Sequence, residues 1–501
     1  MSSVGEKLLE DEISRYLVER GDYRSCKVGT DPEMRSEFNA TLGLDTLELF
    51  AFIEETQRGE WQRLVTAHGG DDLLARERFL QRLVRQIDER GTLDVIRHGI
   101  RDQNVELRLS YRKPAFGVAP ELVANYDANR LTVARQLPYE SDSNKTLDLC
   151  LFLNGIPVAT AELKNHLTGQ NIEHAIEQYR NDRDPKNVTL GRRALVHFAV
   201  DPDRVSMTTR LDGKSTSFLP FNLGHNLGKG NPPNPDGHKT SYLWERVWSR
   251  DSWLDILHRF IHVERPEKGS LAARRAAEKV IFPRFHQWDA VLKLEADAAA
   301  NGAGRAYLIQ HSAGSGKSNT IAWAAHRLST LHTTEDRKVF DKVIVITDRV
   351  ILDKQLQDTI YQFEHARGVV VKIDEDSAQL AAALAGEQAR IIITTLQKFP
   401  YVIGKIGEVP SRSYAIVIDE AHSSQTGEAA KDLRLALGVG DEYELTAAEA
   451  EDAGLLAAAI DPVEEALVKS ARARAADSSP TSPTSPSPPP RRGRRLRRSG
   501  G

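Results

Sequence analysis

The sequence is nearly free of cysteine: Cys26 and Cys150 are the only two in 501 residues. That excludes a disulfide scaffold and a structural zinc site built from thiolates. Long apolar runs are missing as well. No stretch approaches the ~18 consecutive apolar residues of a membrane span, and the opening MSSVGEKLLEDE has no apolar signal core. Nor is there a surplus of positive charge, since 67 Lys and Arg face 71 Asp and Glu for a net of −4. A globally basic, histone-like binder is excluded, so nucleic-acid contacts must come from local patches. Six arginines, Arg491, Arg492, Arg494, Arg495, Arg497 and Arg498, sit at the C-terminal end, and without them residues 1–490 carry −10. At ~150 residues per domain the length suggests two or three domains. The expectation is a multidomain protein of a reducing, cytoplasmic compartment with no membrane partner.

What is present is organised in blocks. In residues 6–20, Leu8, Leu9, Ile13, Tyr16 and Leu17 recur at spacings of three and four, an amphipathic helix stopped by Gly21. Mixed helical periodicity continues over 45–100. From about 105 the chain turns to short β-rich runs, VELRLSYRK, RLTVARQLPY, LDLCLFL and IPVATAELK, with Asn154-Gly155 as hairpin punctuation, and ALVHFAV at 194–200 reads as another strand. Residues 223–240 are dense in Gly, Pro and Asn and read as a long ordered loop. After a charged stretch come four apolar runs, 305–311, 342–348, 390–396 and 414–420, separated by helical segments. Such alternation is the mark of a doubly wound parallel α/β sheet. Residues 441–476 are rich in Ala and Glu and read as helical. From Ser478 the composition of Ser, Pro and Arg cannot bury a core and is expected to be disordered.

Two patterns carry chemistry. Ala313-Gly314-Ser315-Gly316-Lys317-Ser318 follows an apolar run and precedes a helical one. Gly314, Ser315 and Gly316 would let backbone N–H groups curl around a phosphate at a helix N-terminus. Lys317 would place a charge on the β and γ phosphates, and Ser318 a hydroxyl on Mg²⁺. His311 stands where the strict pattern has Gly. About a hundred residues on, an apolar run ends in Asp419-Glu420-Ala421-His422. Asp419 is placed to hold the nucleotide's Mg²⁺ and Glu420 to orient the attacking water. Together they point to a RecA-like motor that takes ATP and Mg²⁺.

The second pattern is Asp148, Glu162 and Lys164. Glu162 and Lys164 are two apart on one strand and leave the same face. Two carboxylates can hold Mg²⁺ on a scissile phosphate while a lysine positions the attacking water. As bare spacing the pattern describes any charged strand edge. The turn is constrained by it. A plain two-residue turn at Asn154-Gly155 puts Asp148 opposite Ala161 and on the wrong face. A three-residue loop, Leu153-Asn154-Gly155, pairs Asp148 with Thr160 and brings all three side chains together, so an odd-length loop with Gly155 at the bulge is expected.

The wording is also specific. HSAGSGKS, ITDRVILDKQ (346–355), TTLQKF (394–399) and DEAHSSQTG (419–427) resemble the ordered superfamily 2 helicase motifs of type I restriction R subunits. LDLCLFLNGIPVATAELKN (147–165) resembles the nuclease hairpin of the same subunits, which are PD-(D/E)xK nucleases. The resemblance covers about residues 6–470. It implies that Gln287, in Phe285-His286-Gln287, reads adenine. It also implies that Gln178 begins the Q-x-x-x-Y element, although Asp182 replaces its tyrosine. An acidic residue of the first helix would join the nuclease site; Glu10 and Glu12 are both available, and we favour Glu12. The stretch 227–245 also shares the family wording, with no chemistry derivable from it.

The expected organisation is an endonuclease domain over 1–263, a linker over 264–280, a first RecA-like domain over 281–470 and a disordered tail over 471–501. The resemblance implies an ATP-dependent type I deoxyribonuclease subunit acting on double-stranded DNA. Modification (methyltransferase) and specificity subunits would be its partners, the latter reading the target sequence. Nothing after DEAH resembles the rest of the motor, and a frameshift near 472–478 is the expected origin of the tail. The alternatives are an inactive fragment that only binds methyltransferase or DNA, and a stand-alone helicase–nuclease.

Overall fold

In the computed structural model, residues 3–26, 38–114, 119–141, 143–166, 169–226, 228–266, 270, 277–312, 314–333, 335–347, 356–357, 359–361, 368–373, 377–395, 398 and 412–419 are described. The expected helix at 441–476 and the Ser/Pro/Arg tail lie outside them. Helix α1 (Ser3–Arg20) buries Leu9, Ile13 and Leu17, while Leu8 is exposed, so the buried stripe is narrower than expected. Gly21 closes it by donating its N–H to the carbonyls of Tyr16 and Leu17. A cluster of four helices follows: α2 (Thr46–Thr56), α3 (Arg58–Ala67), α4 (Asp72–Arg90) and α5 (Thr92–His98). Asp45 and Asp71 cap α2 and α4 by accepting backbone N–H groups that no helical carbonyl can reach. Helix α6 (Pro120–Asp127) starts on a proline, where a missing N–H costs nothing.

Seven strands form the first large sheet. They are β1 (Arg24–Cys26), β6 (Leu131–Pro138), β7 (Thr146–Leu153), β8 (Ile156–Leu163), β9 (Val196–Val200), β10 (Val205–Thr208) and β11 (Leu219–Pro220), adjacent in that order. The β1–β6 and β8–β9 pairs are parallel and the other four antiparallel. Every residue of β8 and β9 is buried, as expected of strands covered on both faces. Helix α7 (Ile172–Asn181) makes the β8-to-β9 crossover, capped by Asn171. Two short ladders, β2 (Phe38–Asn39) with β3 (Leu44–Asp45) and β4 (Ile100–Asp102) with β5 (Val105–Leu107), flank the helical cluster. The described residues of 223–240 are irregular and include an isolated His225–Gly228 bridge.

The stretch expected as a linker is structured at both ends. There β12 (His262–Glu264) pairs antiparallel with β13 (Lys279–Ile281). Helix α8 (Arg250–Asp255) precedes it. Beyond it, α9 (Phe285–Asn301) packs on α10 (Lys317–Leu328), and α10 lies against a four-stranded, wholly parallel sheet. Its order is β15 (Val370–Lys372), β16 (Ile391–Thr395), β14 (Lys342–Thr347), β17 (Tyr414–Ile418), with α11 (Ser377–Ala385) between β15 and β16. The expected strand at 305–311 is not formed. Tyr307, Leu308 and Ile309 are exposed, and Tyr307 Oη donates instead to Asp297 Oδ2 at the end of α9. An apolar run becomes a strand only where a neighbouring strand accepts its hydrogen bonds, and that is a non-local condition.

The two sheets are not isolated bodies. One hydrophobic cluster runs from Phe198 and Trp248 through Phe282 and Trp288 to Trp323 and Val343. Trp323 on α10 donates its indole N–H to the Phe260 carbonyl at 2.7 Å. Arg327, buried on the same helix, bridges Asp255 and Glu295.

Candidate functional sites

The β7–β8 hairpin brings the first constellation together, by a route different from the expected one. Its loop is the two-residue turn Asn154-Gly155, with φ of 50° and 79°, and Leu153 pairs with Ile156. Two consecutive left-handed residues are what a type I′ turn requires. The turn is buried, and Asn154 satisfies itself by accepting from Arg130 N and donating to the Leu109 carbonyl. The parity is corrected further along. Phe152 pairs with Pro157 and Leu151 with Ala159, so Val158 is an extra residue in β8. Leu195 N donates to its carbonyl. Past this bulge Leu149 faces Ala161, which sets Asp148 opposite Glu162. The three-residue loop was the wrong device for a shared face.

Asp148 Oδ2 accepts from Leu163 N at 2.8 Å, across the end of the hairpin. Glu162 is fully buried and Lys164 nearly so. Burial pushes the Glu162 carboxyl well above the ordinary carboxylate range, and Asp148 adds to the rise; Arg183 and Lys164 oppose it. Arg183 donates to Glu162 Oε1 from Nε at 2.7 Å and from Nη2 at 2.6 Å. Glu162 Oε2 has no hydrogen-bond partner and is buried. A buried carboxylate oxygen left in this state is costly unless a proton or a cation completes it. The donor set therefore fits a hard divalent cation, which accepts one or two carboxylates and keeps water as its remaining ligands. Among the described residues no group of three or more His, Cys, Asp or Glu side chains is placed to hold a metal ion, so the protein's share of any such site is these two carboxylates.

The acidic residue of α1 that faces this site is Glu10, not Glu12. Glu10 is buried; its Oε2 accepts from Gln136 Nε2 at 2.8 Å, and the same nitrogen lies 3.2 Å from Asp148 Oδ1. Arg135 holds the other Glu10 oxygen at 2.6 Å. Glu12 is paired with His238 Nε2 at 3.2 Å. At ~100° per residue, two positions on a helix are turned to opposite sides. No hydrogen bond among the described residues ties the Gln178 side chain to Asp148, Glu162 or Lys164. It sits half-buried on α7, and Arg183, just past that helix, makes the contact instead. Sequence reasoning missed Arg183 because it lies in a run of charged residues, RNDRD, which ordinarily faces solvent.

The second constellation lies at the start of α10. Gly314 and Gly316 take φ of 80° and 85°, the left-handed curl that lets successive N–H groups face one point. Lys317 and Ser318 are the first two residues of the helix, half-buried. The structure gives Gln287 a different contact from the expected adenine. Its Oε1 accepts from Arg284 N, and its Nε2 donates to the carbonyls of Ser315 and Gly316, each at 3.0 Å. Its amide is thus spent on the loop. His311 stacks edge-on against His286, 5.0 Å between centroids, and burial, His286 and Lys317 push its pKa down to about 4. Asp419 follows β17, and its N–H donates to the Ile346 carbonyl of the neighbouring β14. Ala313, Glu420 and residues 348–355 lie outside the described residues.

Comparison with known proteins gives these two regions separate family matches. Residues 72–216 match the family described as type I restriction enzyme R protein N terminus. Residues 286–443 match the SWI2/SNF2 ATPase family. Among curated relatives, a type I restriction enzyme endonuclease subunit of Staphylococcus aureus is 24% identical over 85% of this chain and 41% of its own length. The HindI endonuclease subunit of Haemophilus influenzae is 26% identical over 60% of this chain and 28% of its own. A putative type I endonuclease subunit of Methanocaldococcus jannaschii is 23% identical over 73% and 36%. A solved structure, the UvsW helicase from bacteriophage T4, aligns at 21% identity over 32% of this chain and 50% of that one, with a TM-score of 0.23.

The class defined by these matches is a region like the N terminus of type I restriction R proteins joined to a region like SWI2/SNF2 ATPases. More particularly, the chain is similar in both regions, and in the same order, to type I restriction R proteins, and the resemblance read from the motifs is borne out. The chain spans about two fifths of the length of the Staphylococcus relative. No helix among the described residues is long and apolar enough to cross a membrane.

Proposed function

We propose that this chain carries the Mg²⁺-dependent DNA endonuclease site of a type I restriction R subunit together with the first ATP-binding half of its translocase. The observation that carries the reading is the convergence of Asp148, Glu162 and Lys164 at the end of one hairpin, with a buried Glu162 oxygen left open. Asp148 and Glu162 would hold the cation, which when bound supplies Lewis-acid stabilisation of the scissile phosphate. Lys164, buried beside them, would orient the attacking water and take part in its deprotonation. Glu10 and Gln136 would steady Asp148 from the other side. At the ATP site Gly314, Ser315 and Gly316 would bind phosphate oxygens through backbone N–H groups, with Lys317 as the counter-charge. Ser318 and Asp419 would hold the nucleotide's Mg²⁺, and Glu420 would orient water. Gln287 keeps its proposed adenine role only if its amide leaves the loop.

Double-stranded DNA is the proposed substrate, and the modification and specificity subunits the proposed partners, in the cytoplasm. The test is supercoiled-plasmid cleavage by the chain with ATP, Mg²⁺ and a methyltransferase–specificity complex. Cleavage lost in Asp148→Ala, Glu162→Ala and Lys164→Ala supports the reading. Cleavage retained in all three overturns it.

A further inference from the structure

Resting on the nuclease reading above, we infer that Arg183 is the positioning residue of the metal site. It would set which oxygen of Glu162 meets the cation and how far apart the two carboxylate strands stand. Its guanidinium is buried and reaches two strands and the Tyr139 hydroxyl at once. Nε and Nη2 both donate to Glu162 Oε1 on β8. Nη2 also donates to the Thr146 carbonyl on β7 at 2.7 Å, two residues before Asp148. Nη1 lies 3.2 Å from Tyr139 Oη. The planar fork therefore ties together the strand carrying Glu162 and the strand carrying Asp148.

The consequence for Glu162 is asymmetric. Oε1 is spent on Arg183, and Oε2, buried and without a partner, is the oxygen left for a ligand. A carboxylate held this way binds a cation through one oxygen, at a position fixed before the cation arrives. That is the preorganisation a metal-assisted phosphodiester cleavage needs. Arginine suits the task because its five donors lie in one rigid plane, whereas lysine offers a single charge on a flexible stem. On the Asp148 side, Gln136 plays a parallel part, donating to Asp148 Oδ1 while its Oε1 accepts from Thr146 Oγ1. Thr146 is thus held from both sides, by its carbonyl and by its hydroxyl.

The experiment measures Mn²⁺ binding to the full chain by electron paramagnetic resonance, beside circular dichroism to confirm folding. The variants are Arg183→Gln, Arg183→Lys, Tyr139→Phe and Glu162→Ala. Arg183→Gln should weaken Mn²⁺ binding at least tenfold. Arg183→Lys should weaken it several-fold and, in plasmid cleavage, raise half-saturating Mg²⁺ more than it lowers the rate at saturating Mg²⁺. Tyr139→Phe removes one hydroxyl that holds Arg183 and should weaken Mn²⁺ binding less than Arg183→Gln does. Folded Arg183→Gln with wild-type or tighter Mn²⁺ binding overturns the inference. If that variant does not fold, wild-type affinity in Arg183→Lys overturns it equally. Absence of any Mn²⁺ binding sensitive to Glu162→Ala in the unmutated chain would instead bring down the nuclease reading, and the inference with it.

Discussion

Gln287 Nε2 lies 3.0 Å from the Gly316 carbonyl, and a Cβ added to Gly316 would stand 2.5 Å from that same nitrogen. The loop's shape and the glutamine's position are therefore one arrangement. Replacing Gly316 by Ala would both force a side chain into φ of 85° and displace Gln287. We expect Gly316→Ala to lose ATP binding by tenfold or more, with ~1–3 kcal/mol of strain. Fluorescent-nucleotide titration of the full chain checks this; unchanged affinity would show that the loop tolerates a different curl.

The two sites should fail independently. Lys317→Ala should abolish nucleotide binding and leave Mn²⁺ binding at Glu162 intact. Glu162→Ala should do the reverse. Loss of one metal-holding group commonly costs several kcal/mol of transition-state stabilisation, so cleavage should fall by at least a thousandfold. Parallel titrations of both variants with both ligands decide the matter, and joint loss in either variant would count against independence.

The buried turn should be as important to stability as the site it serves. Gly155 takes φ of 79°, and a Cβ there would lie 2.2 Å from the Asp45 carbonyl oxygen. Backbone on both sides leaves no soft neighbour to yield. Gly155→Ala should destabilise the chain by ~3 kcal/mol or more, from overpacking and left-handed strain together. Urea unfolding monitored by tryptophan fluorescence measures it.

Acid should weaken the fold through two buried histidines. Burial pushes His197 down to about 3; it pushes His258 down to about 3 as well, with Arg97 and other nearby cations adding. Folded-state values below the unfolded value of ~6.5 mean that unfolding takes up protons. The stability is thus fully present above about pH 6.5 and declines as pH falls toward 3, by at most ~1.4 kcal/mol per pH unit for each histidine. His197→Gln should flatten the dependence of melting temperature on pH between 6.5 and 4. An unchanged slope would show that other groups govern acid sensitivity.

Much of this architecture was legible in the chain because its signals are local. The spacing of Leu9, Ile13 and Leu17 with Gly21 is enough for α1, since a helix satisfies its own hydrogen bonds within four residues. Gly314-Ser315-Gly316-Lys317-Ser318 reads as a phosphate loop because its chemistry is carried by consecutive backbone groups. Glu162 and Lys164 share a face through strand periodicity alone.

Everything that depended on distant partners was decided by the tertiary structure. The 305–311 run is as apolar as its neighbours, yet no strand among the described residues accepts its hydrogen bonds and it stays outside the sheet. Asp148 joins Glu162 through a bulge at Val158, whose carbonyl is held by Leu195 N from another part of the chain. Glu10 rather than Glu12 is chosen by the way α1 lies against β6, where Arg135 and Gln136 receive it. Arg183 is one arginine in a charged run until folding buries it against Glu162 and the Thr146 carbonyl. Periodicity and consecutive motifs are properties of neighbouring residues, whereas burial and pairing across strands are properties of the packed molecule. Local order therefore determined which groups could act, and packing decided which of them meet.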